Sequence, residues 1–354
     1  MRIFQVITVS EFGGAQTIVA NLSQSLSKSH EIFILYGGDG EAWGHLDPNI
    51  HLIRLNEHRK NISFKDIFLT FKLFYLRLKY KPDIVHLHSS KMGAIGRFAF
   101  NPKKIVYTVH GFDSIRKAFH KFLIVEKFLK DRAARIIGVS QYDVDCLKEE
   151  GIKKNVKRIY NGVADYTQLD HGIEESPLLG EQLKIIKKRY KHVVICLSRI
   201  SPQKKFDLFL DIAKERPQYA FVWIGNKSPV EDTPSNVFCL GEGHSAHQYL
   251  KYADLFILPS NYEGLPMSIL EALSYSVPVV ASAVGGIAEI LNGSNGFAVE
   301  NTVSAFTEKI DVILNQDVYS DMCKNARESY LRCFSVDKMT ENYLSTYNEI
   351  YNNQ

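Results

Sequence analysis

The chain has 354 residues, 45% hydrophobic and 23% charged, with a net charge of +4. These fractions are those of a soluble globular protein, and the length suits two α/β domains better than one core. Five scattered cysteines (Cys146, Cys196, Cys239, Cys323, Cys333) make no C-x-x-C pair, which argues against a disulfide framework or a cysteine-bound zinc and for a reducing cytoplasm. Met1-Arg2 runs directly into an apolar stretch with no cleavage region, and no apolar run approaches the roughly 20 residues of a membrane-spanning helix. Residues 1–160 hold 26 basic and 15 acidic side chains, whereas the remainder holds 17 and 24. A basic half and an acidic half are expected to be domains with different partners.

In chain order, residues 3–9, 32–36, 84–88, 105–110 and 136–140 are short runs rich in Val, Ile and Tyr, and predict strands. Between them lie helical patterns such as 15–27 and 64–78. Strands alternating with helices imply a parallel, doubly wound sheet. Residues 161–182 are polar and turn-rich, with Asn161-Gly162, Pro177 and Gly180, and predict the connection between domains. A second α/β series follows, with strands at 192–198, 219–224, 237–240, 255–259 and 277–282. The last 35 or so residues, including 336–351, predict helix. In such sheets ligands bind beyond the carboxyl ends of the strands.

Glu263 and Glu271 lie eight positions apart in Glu-Gly-Leu-Pro-Met-Ser-Ile-Leu-Glu. The first follows a buried-type strand and the turn Ser260-Asn261-Tyr262; the second falls about two turns into a helix expected to start near Pro266. The N–H groups from Gly264 to Ser268 and the positive helix end suit a diphosphate, and a carboxylate can accept hydrogen bonds from vicinal sugar hydroxyls. The plainer alternative is a capping Glu263 and a solvated Glu271. Arg199 and Lys204 follow the first strand of the second series, in Leu-Ser-Arg-Ile-Ser-Pro-Gln-Lys-Lys, where guanidinium and ammonium suit phosphate oxygens; the alternative is a solvated basic loop.

In the first series, Gly13-Gly14 separates a strand from a helix and permits close backbone approach to a ligand, although no third glycine completes a dinucleotide fingerprint. His110-Gly111 closes the strand at 105–110 and is a candidate contact for a transferred sugar. His86 and His88 share one strand face; without a third metal ligand they read as structural. Asp143-Val144-Asp145 mimics a metal-binding D-x-D, but falls in a predicted helix at 141–150 and also reads as structural.

Together, Gly13-Gly14-Ala15, His110-Gly111, Val139-Ser140, Asn161-Gly162-Val163, Ser198-Arg199 with Lys204, Pro259-Ser260, the Glu263-to-Glu271 segment, and Gly285-Gly286 with Glu289 and Gly296-Phe297 resemble the GT-B-fold retaining glycosyltransferases of family 4 (glycosyl transferases group 1). The resemblance spans nearly the whole chain and is strongest over 193–300. It implies two Rossmann-like domains facing a central cleft, at 1–165 and 186–335, with a linker at 166–185 and a C-terminal helix, 336–354, packing back on the first domain. It implies a catalytic set of His110, Glu263, Arg199 and Lys204. Arg199 and Lys204 would bind the donor diphosphate and offset charge on the departing nucleotide. Glu271 would hold the ribose; Glu263, with Gly264, Leu265, Pro266 and Ser268, would hold the donor sugar. Gly13 and Gly14 would line the donor site, and His110 would lie beside the transferred sugar. Neither metal nor cofactor is expected beyond the nucleotide-sugar co-substrate. Asn226 stands where such proteins often carry an acid, which bears on the base; UDP is the expected nucleotide.

Apolar residues at helical spacing (Phe64, Ile67, Phe68, Phe71, Phe74, Tyr75, Leu78) are flanked by Lys65, Lys72, Arg77, Lys79 and Lys81. Residues 112–130 repeat the theme with Phe119, Phe122, Leu123 and Phe128. A basic amphipathic helix suits an anionic membrane surface as well as a sheet face. The expected function is transfer, with retention, of a hexose or N-acetylhexosamine to a glycan or lipid-linked glycan in bacterial surface polysaccharide or glycoconjugate synthesis, at the inner face of the cell membrane. The alternatives are a UDP-N-acetylglucosamine 2-epimerase of the same fold and a non-catalytic partner subunit. Nucleic acid is not an expected partner, because no recognition motif accompanies the basic charge.

Overall fold

A computed structural model describes residues 1–55, 66–118, 120–169, 177–243, 245–315 and 317–353. The chain forms two units, one of residues 1–162 with 336–354 and the other of 163–335.

Unit 1 runs β1 (Arg2–Ile7), α1 (Gly14–Leu26), β2 (Glu31–Tyr36), β3 (His51–Arg54), α2 (Asp66–Tyr80), β4 (Ile84–His88), α3 (Ser90–Ala99), β5 (Ile105–Val109), α4 (Lys121–Phe128), β6 (Arg135–Gly138), α5 (Gln141–Glu149) and β7 (Val156–Arg158). Its sheet has the order β3-β2-β1-β4-β5-β6-β7, all parallel. Alternation divides the central strands into two faces. One face presents Phe4, Val6, Val85, Leu87, Tyr107 and Val109 to a core completed by Leu69, Leu73 and Leu76 of α2 and Met92 and Ile95 of α3. The other carries Gln5, His86, His88 and Thr108, all fully buried.

Unit 2 runs α6 (Tyr166–Leu169), α7 (Pro177–Arg189), β8 (Val193–Leu197), α8 (Phe206–Lys214), β9 (Ala220–Ile224), β10 (Val237–Cys239), β11 (Leu255–Leu258), α9 (Met267–Ser274), β12 (Val279–Ser282), α10 (Ile287–Ile290), β13 (Gly296–Val299), α11 (Val303–Leu314) and α12 (Tyr319–Ser329). The parallel sheet order is β10-β9-β8-β11-β12-β13. Phe209 of α8 meets Trp223 edge-on, ring centroids 5.0 Å apart, anchoring that helix on β9. The chain then returns to unit 1 as α13 (Val336–Asn352), which packs on α1 and β4.

Strand order reverses between β1 and β4 in the first sheet and between β8 and β11 in the second. These switch points are where neighbouring βα loops diverge and leave a crevice for a ligand.

One expectation needs correction. The span 166–185 is not a plain linker: unit 2 begins at Val163, and α7 occupies 177–189. Pro177 starts that helix, where proline is tolerated, and Leu179, Leu183 and Ile186 bury one helical stripe; residues 170–176 lie outside the described residues. Pro266 sits at the N-cap of α9, one position before the first helical residue, with φ −69° and ψ 127°. The strands β3, β7 and β13 add to those the periodicity predicted.

Candidate functional site

The loops after β8 and β11 meet at the switch point of unit 2. Lys204 Nζ pairs with Glu263 Oε1, and the same oxygen accepts from Ser260 Oγ at 2.7 Å. Glu263 is buried, so its charge needs these two donors. Hydrogen bonds to backbone carbonyls stitch the loops together: Asn261 N donates to Gln203 O at 2.8 Å, Gln203 Nε2 to Tyr262 O at 2.8 Å, and Asn261 Nδ2 to Pro202 O at 2.8 Å. Ser260 is itself held by Ser282, whose Oγ accepts from Ser260 N at 2.7 Å, and by Asn301, whose Nδ2 donates to Ser260 O at 2.9 Å.

A third loop braces Glu263 from behind. Gly286 N donates to Gly264 O at 2.9 Å. Gly285 has φ +56°, and a Cβ there would fall 1.9 Å from Glu263 O, so no side chain fits without moving the carboxylate's backbone. Arg199, Ile200, Ser201, Pro202 and Gln203 face the loop Gly225–Val230 and Tyr262 across a cavity of about 670 Å³. Asn226 is buried between the loops after β9 and β10: its Oδ1 accepts from Gly241 N at 2.8 Å and its Nδ2 donates to Ser228 O at 3.0 Å. A carboxylate at this position would lack the second, donated bond.

Glu271 lies in the second turn of α9, half-buried, and burial raises its pKa from the usual carboxylate range to about 7. Nearby Tyr166 is also shifted upward, first by burial and then by the Glu271 charge. The Tyr166 ring stacks on His247 with centroids 3.6 Å apart and planes 18° from parallel. Arg199, Lys204, Glu263, Gly264, Leu265, Pro266, Ser268 and Glu271 thus all belong to the carboxyl-end loops of one sheet or the helix that follows.

Gly13, Gly14 and His110 belong to unit 1. Gly13 is extended and leads into α1, which begins at Gly14. His110 follows β5 directly, before Gly111 with φ +95°. Its Nε2 lies 3.0 Å from His88 Nδ1, and burial lowers its pKa to about 4. His88 Nε2 in turn lies 2.8 Å from Gln5 Oε1. His86 bridges Tyr347 OH at 2.6 Å and Thr108 Oγ1 at 2.7 Å. Burial holds both histidines well below the normal imidazole pKa. His86 and His88 are therefore structural members of a buried hydrogen-bond chain. Asp143 is structural too, accepting from Phe112 N and Ser140 Oγ, each at 2.7 Å.

Sequence reasoning did not identify Gln203, Asn301, Ser282 or Tyr166 as neighbours of the site. Their hydrogen bonds and ring contacts join residues far apart in the chain, and no local pattern signals them.

A doubly wound sheet in each unit, with cations and carboxylates at the switch point of the second, defines the GT-B class of α/β proteins. The Glycosyl transferases group 1 model matches residues 181–329 and the Glycosyltransferase Family 4 model matches residues 12–165. An Escherichia coli UDP-Gal:alpha-D-GlcNAc-diphosphoundecaprenol alpha-1,3-galactosyltransferase is 29% identical over 91% of this chain and 89% of its own. An uncharacterized 41.2 kDa protein in the cps region of Klebsiella pneumoniae is 30% identical over 77% of this chain and 80% of its own. The crystal structure of Anabaena Alr3699/HepE in complex with UDP and glucose superimposes with a TM-score of 0.81 at 19% identity, covering 99% of this chain and 100% of that one. The chain belongs to the group 1, family 4 glycosyltransferases.

Proposed function

We propose that this glycosyltransferase moves a hexose or N-acetylhexosamine, with retention, from a nucleotide-diphosphate sugar to a hydroxyl of a glycan or lipid-linked glycan in bacterial surface polysaccharide synthesis. The observation that carries this reading is the Lys204–Glu263–Ser260 cluster at the switch point of unit 2, with Arg199 in the same loop after β8 as Lys204. Arg199 and Lys204 would bind the diphosphate and stabilise its charge as the C1–O bond to phosphate breaks, the role a divalent cation plays elsewhere. Glu263 and the amides opening α9 would hold the sugar, and Glu271 the ribose. The acceptor hydroxyl would pass its proton to the departing diphosphate oxygen as its own oxygen bonds C1. Gly13 and Gly14 would let the backbone of unit 1 approach the donor, and His110 would contact the transferred sugar. UDP is the favoured nucleotide, in line with the UDP-Gal in the name of the Escherichia coli relative.

The acceptor side of the proposal is a membrane surface. Among the described residues no helix is long and apolar enough to cross a bilayer. Yet on α2, Ile67, Phe68, Phe71, Tyr75 and Leu78 are 56–77% exposed. Neighbouring α3 adds Phe98 and α4 adds Ile124 and Phe128, each more than half exposed. Lys72, Arg77, Lys79 and Lys127 lie on the same helices. An apolar face among cations matches an anionic bilayer, which would bring a lipid-linked acceptor to the enzyme. Phe64, Lys65 and Phe119 lie outside the described residues.

The test of the function is a radiolabelled-sugar transfer assay with UDP- and GDP-sugars and a lipid-linked glycan acceptor. Label appearing in the lipid fraction only with an intact Arg199 and Glu263 supports the proposal. Equal transfer by Arg199→Ala and Glu263→Ala would contradict it.

A further inference from the structure

The polar face of the unit 1 sheet has a direction. Gln5 lies on β1, His88 on β4 and Tyr347 on α13, and all three are fully buried. Gln5 Oε1 lies 2.8 Å from His88 Nε2, and Gln5 Nε2 faces Tyr347 OH at 3.5 Å. An amide oxygen only accepts, so with the Gln5 amide in this orientation His88 Nε2 carries the proton. His88 is neutral, because burial opposes its charge, and a neutral imidazole has one N–H. Its Nδ1 is therefore a lone pair, and His110 Nε2, 3.0 Å away, must donate to it. The Tyr347 hydroxyl is also satisfied in this pattern, donating to His86 Nδ1 at 2.6 Å, with His86 Nε2 left to donate to Thr108 Oγ1.

We infer that Gln5 and His88 are positioning residues that hold His110 in its Nε2–H tautomer, so that His110 Nδ1 accepts a hydrogen bond from a hydroxyl of the transferred sugar. The substrate half of this inference rests on the proposal that His110 contacts that sugar. The tautomer half rests on the hydrogen-bond chain and on the burial that keeps His88 neutral. The arrangement gives His110 the role of an acceptor that selects a donor sugar bearing a hydroxyl at the contacted position. A deoxy sugar at that position would lose the bond. Outer partners that fix a histidine's proton in this way matter because they decide which ring nitrogen faces the substrate.

The experiment is a long-range proton–nitrogen correlation spectrum of the full chain, labelled with nitrogen-15 histidine and free of substrate, with His110→Ala used to assign the His110 signals. The Nε2–H pattern for His110 in the wild-type chain is expected. A predominantly Nδ1–H pattern would overturn the inference without needing any variant. His88→Gln offers His110 an accepting oxygen and Gln5 a donating amide, and should keep the pattern; His88→Leu and, one link further out, Gln5→Leu should give mixed tautomers. An unchanged His110 pattern in both leucine variants would also overturn the relay.

Transfer kinetics separate the two halves. His88→Leu should lower kcat/KM about tenfold, the low end of losses seen for outer partners of a histidine, with recovery in His88→Gln. Full transfer by His110→Ala would overturn the sugar contact, whatever the tautomer proves to be.

Discussion

Lys204 and Glu263 join in an ion pair that ties the loop after β8 to the loop after β11 across the switch point of unit 2. Both side chains are largely withdrawn from solvent, at 18% and 8% exposure, and Ser260 supplies a second donor to the same carboxylate oxygen. Glu263→Gln keeps the side chain's shape but weakens its hold on Lys204. Lys204→Met removes the cation assigned to the diphosphate. Each should lower kcat by about 100-fold, the scale of losing one preorganised electrostatic contact. Steady-state transfer rates at saturating donor, with circular dichroism as a check of folding, read the effect.

Glu271 links the site to pH. Its folded pKa of about 7 lies above the ordinary carboxyl value of 4.5, so the folded chain retains a proton that the unfolded chain has lost. Stability from this residue is present below about pH 4.5 and is lost as pH rises toward 7. Glu271→Gln should consequently be more stable than the wild type above pH 7, by up to about 3 kcal/mol, yet bind nucleotide sugar more weakly. Urea unfolding at pH 8 and calorimetric titration with UDP-sugar measure the two effects.

The histidine chain has the opposite sign. Burial depresses the pKa values of His86, His88 and His110, so protons taken up on acidification go to the unfolded state. Stability should fall as pH drops from about 6.5 toward 4. With His110 titrating near 4, its share of the loss between pH 7.5 and 5 is about 2 kcal/mol. Urea unfolding at the two pH values should show a shallower dependence for His110→Gln than for the wild type.

Gly285 is tested by adding one carbon. Gly285→Ala places a Cβ 1.9 Å from Glu263 O at a φ of +56°. The backbone must shift, at a stability cost of about 1–3 kcal/mol. Since the displaced atoms carry Glu263, nucleotide-sugar affinity should fall as well. Gly293→Ala, at a glycine with more room around it and also at positive φ, separates the local clash from general backbone strain.

On α2, Phe68 and Phe71 are 77% and 69% exposed and contribute little to the core. Phe68→Asp with Phe71→Asp should leave the melting temperature nearly unchanged while reducing sedimentation with anionic phospholipid vesicles at least about tenfold, given roughly 1.5–3 kcal/mol for each buried phenylalanine. Unchanged vesicle binding would remove the membrane surface from the account.

The strands at the centre of each sheet were legible because parallel strands covered on both faces read as unbroken apolar runs. The edge strands β3 and β7 were not, since His51, Leu52 and Arg54 and likewise Arg158 are exposed and break the pattern. The helix α7 hid behind Pro177 and Gly180, which resemble turn residues, although Leu179, Leu183 and Ile186 keep helical spacing. Glu263 and Lys204 stood out through their motifs; their pairing spans 59 positions and needed the fold. The alternation of His86 and His88 was visible, but Tyr347 lies 261 residues from His86, and nothing local announces it.

Proton NMR of the reaction between a UDP-sugar and a lipid-linked glycan acceptor reports the nucleotide, the sugar and the new anomeric centre in one spectrum, and so reads retaining transfer itself. UDP release together with a glycoside of the donor's anomeric configuration is expected, both abolished by Arg199→Ala with Glu263→Ala. An inverted anomer, an epimerised sugar formed without acceptor, or full transfer by the double variant would contradict it.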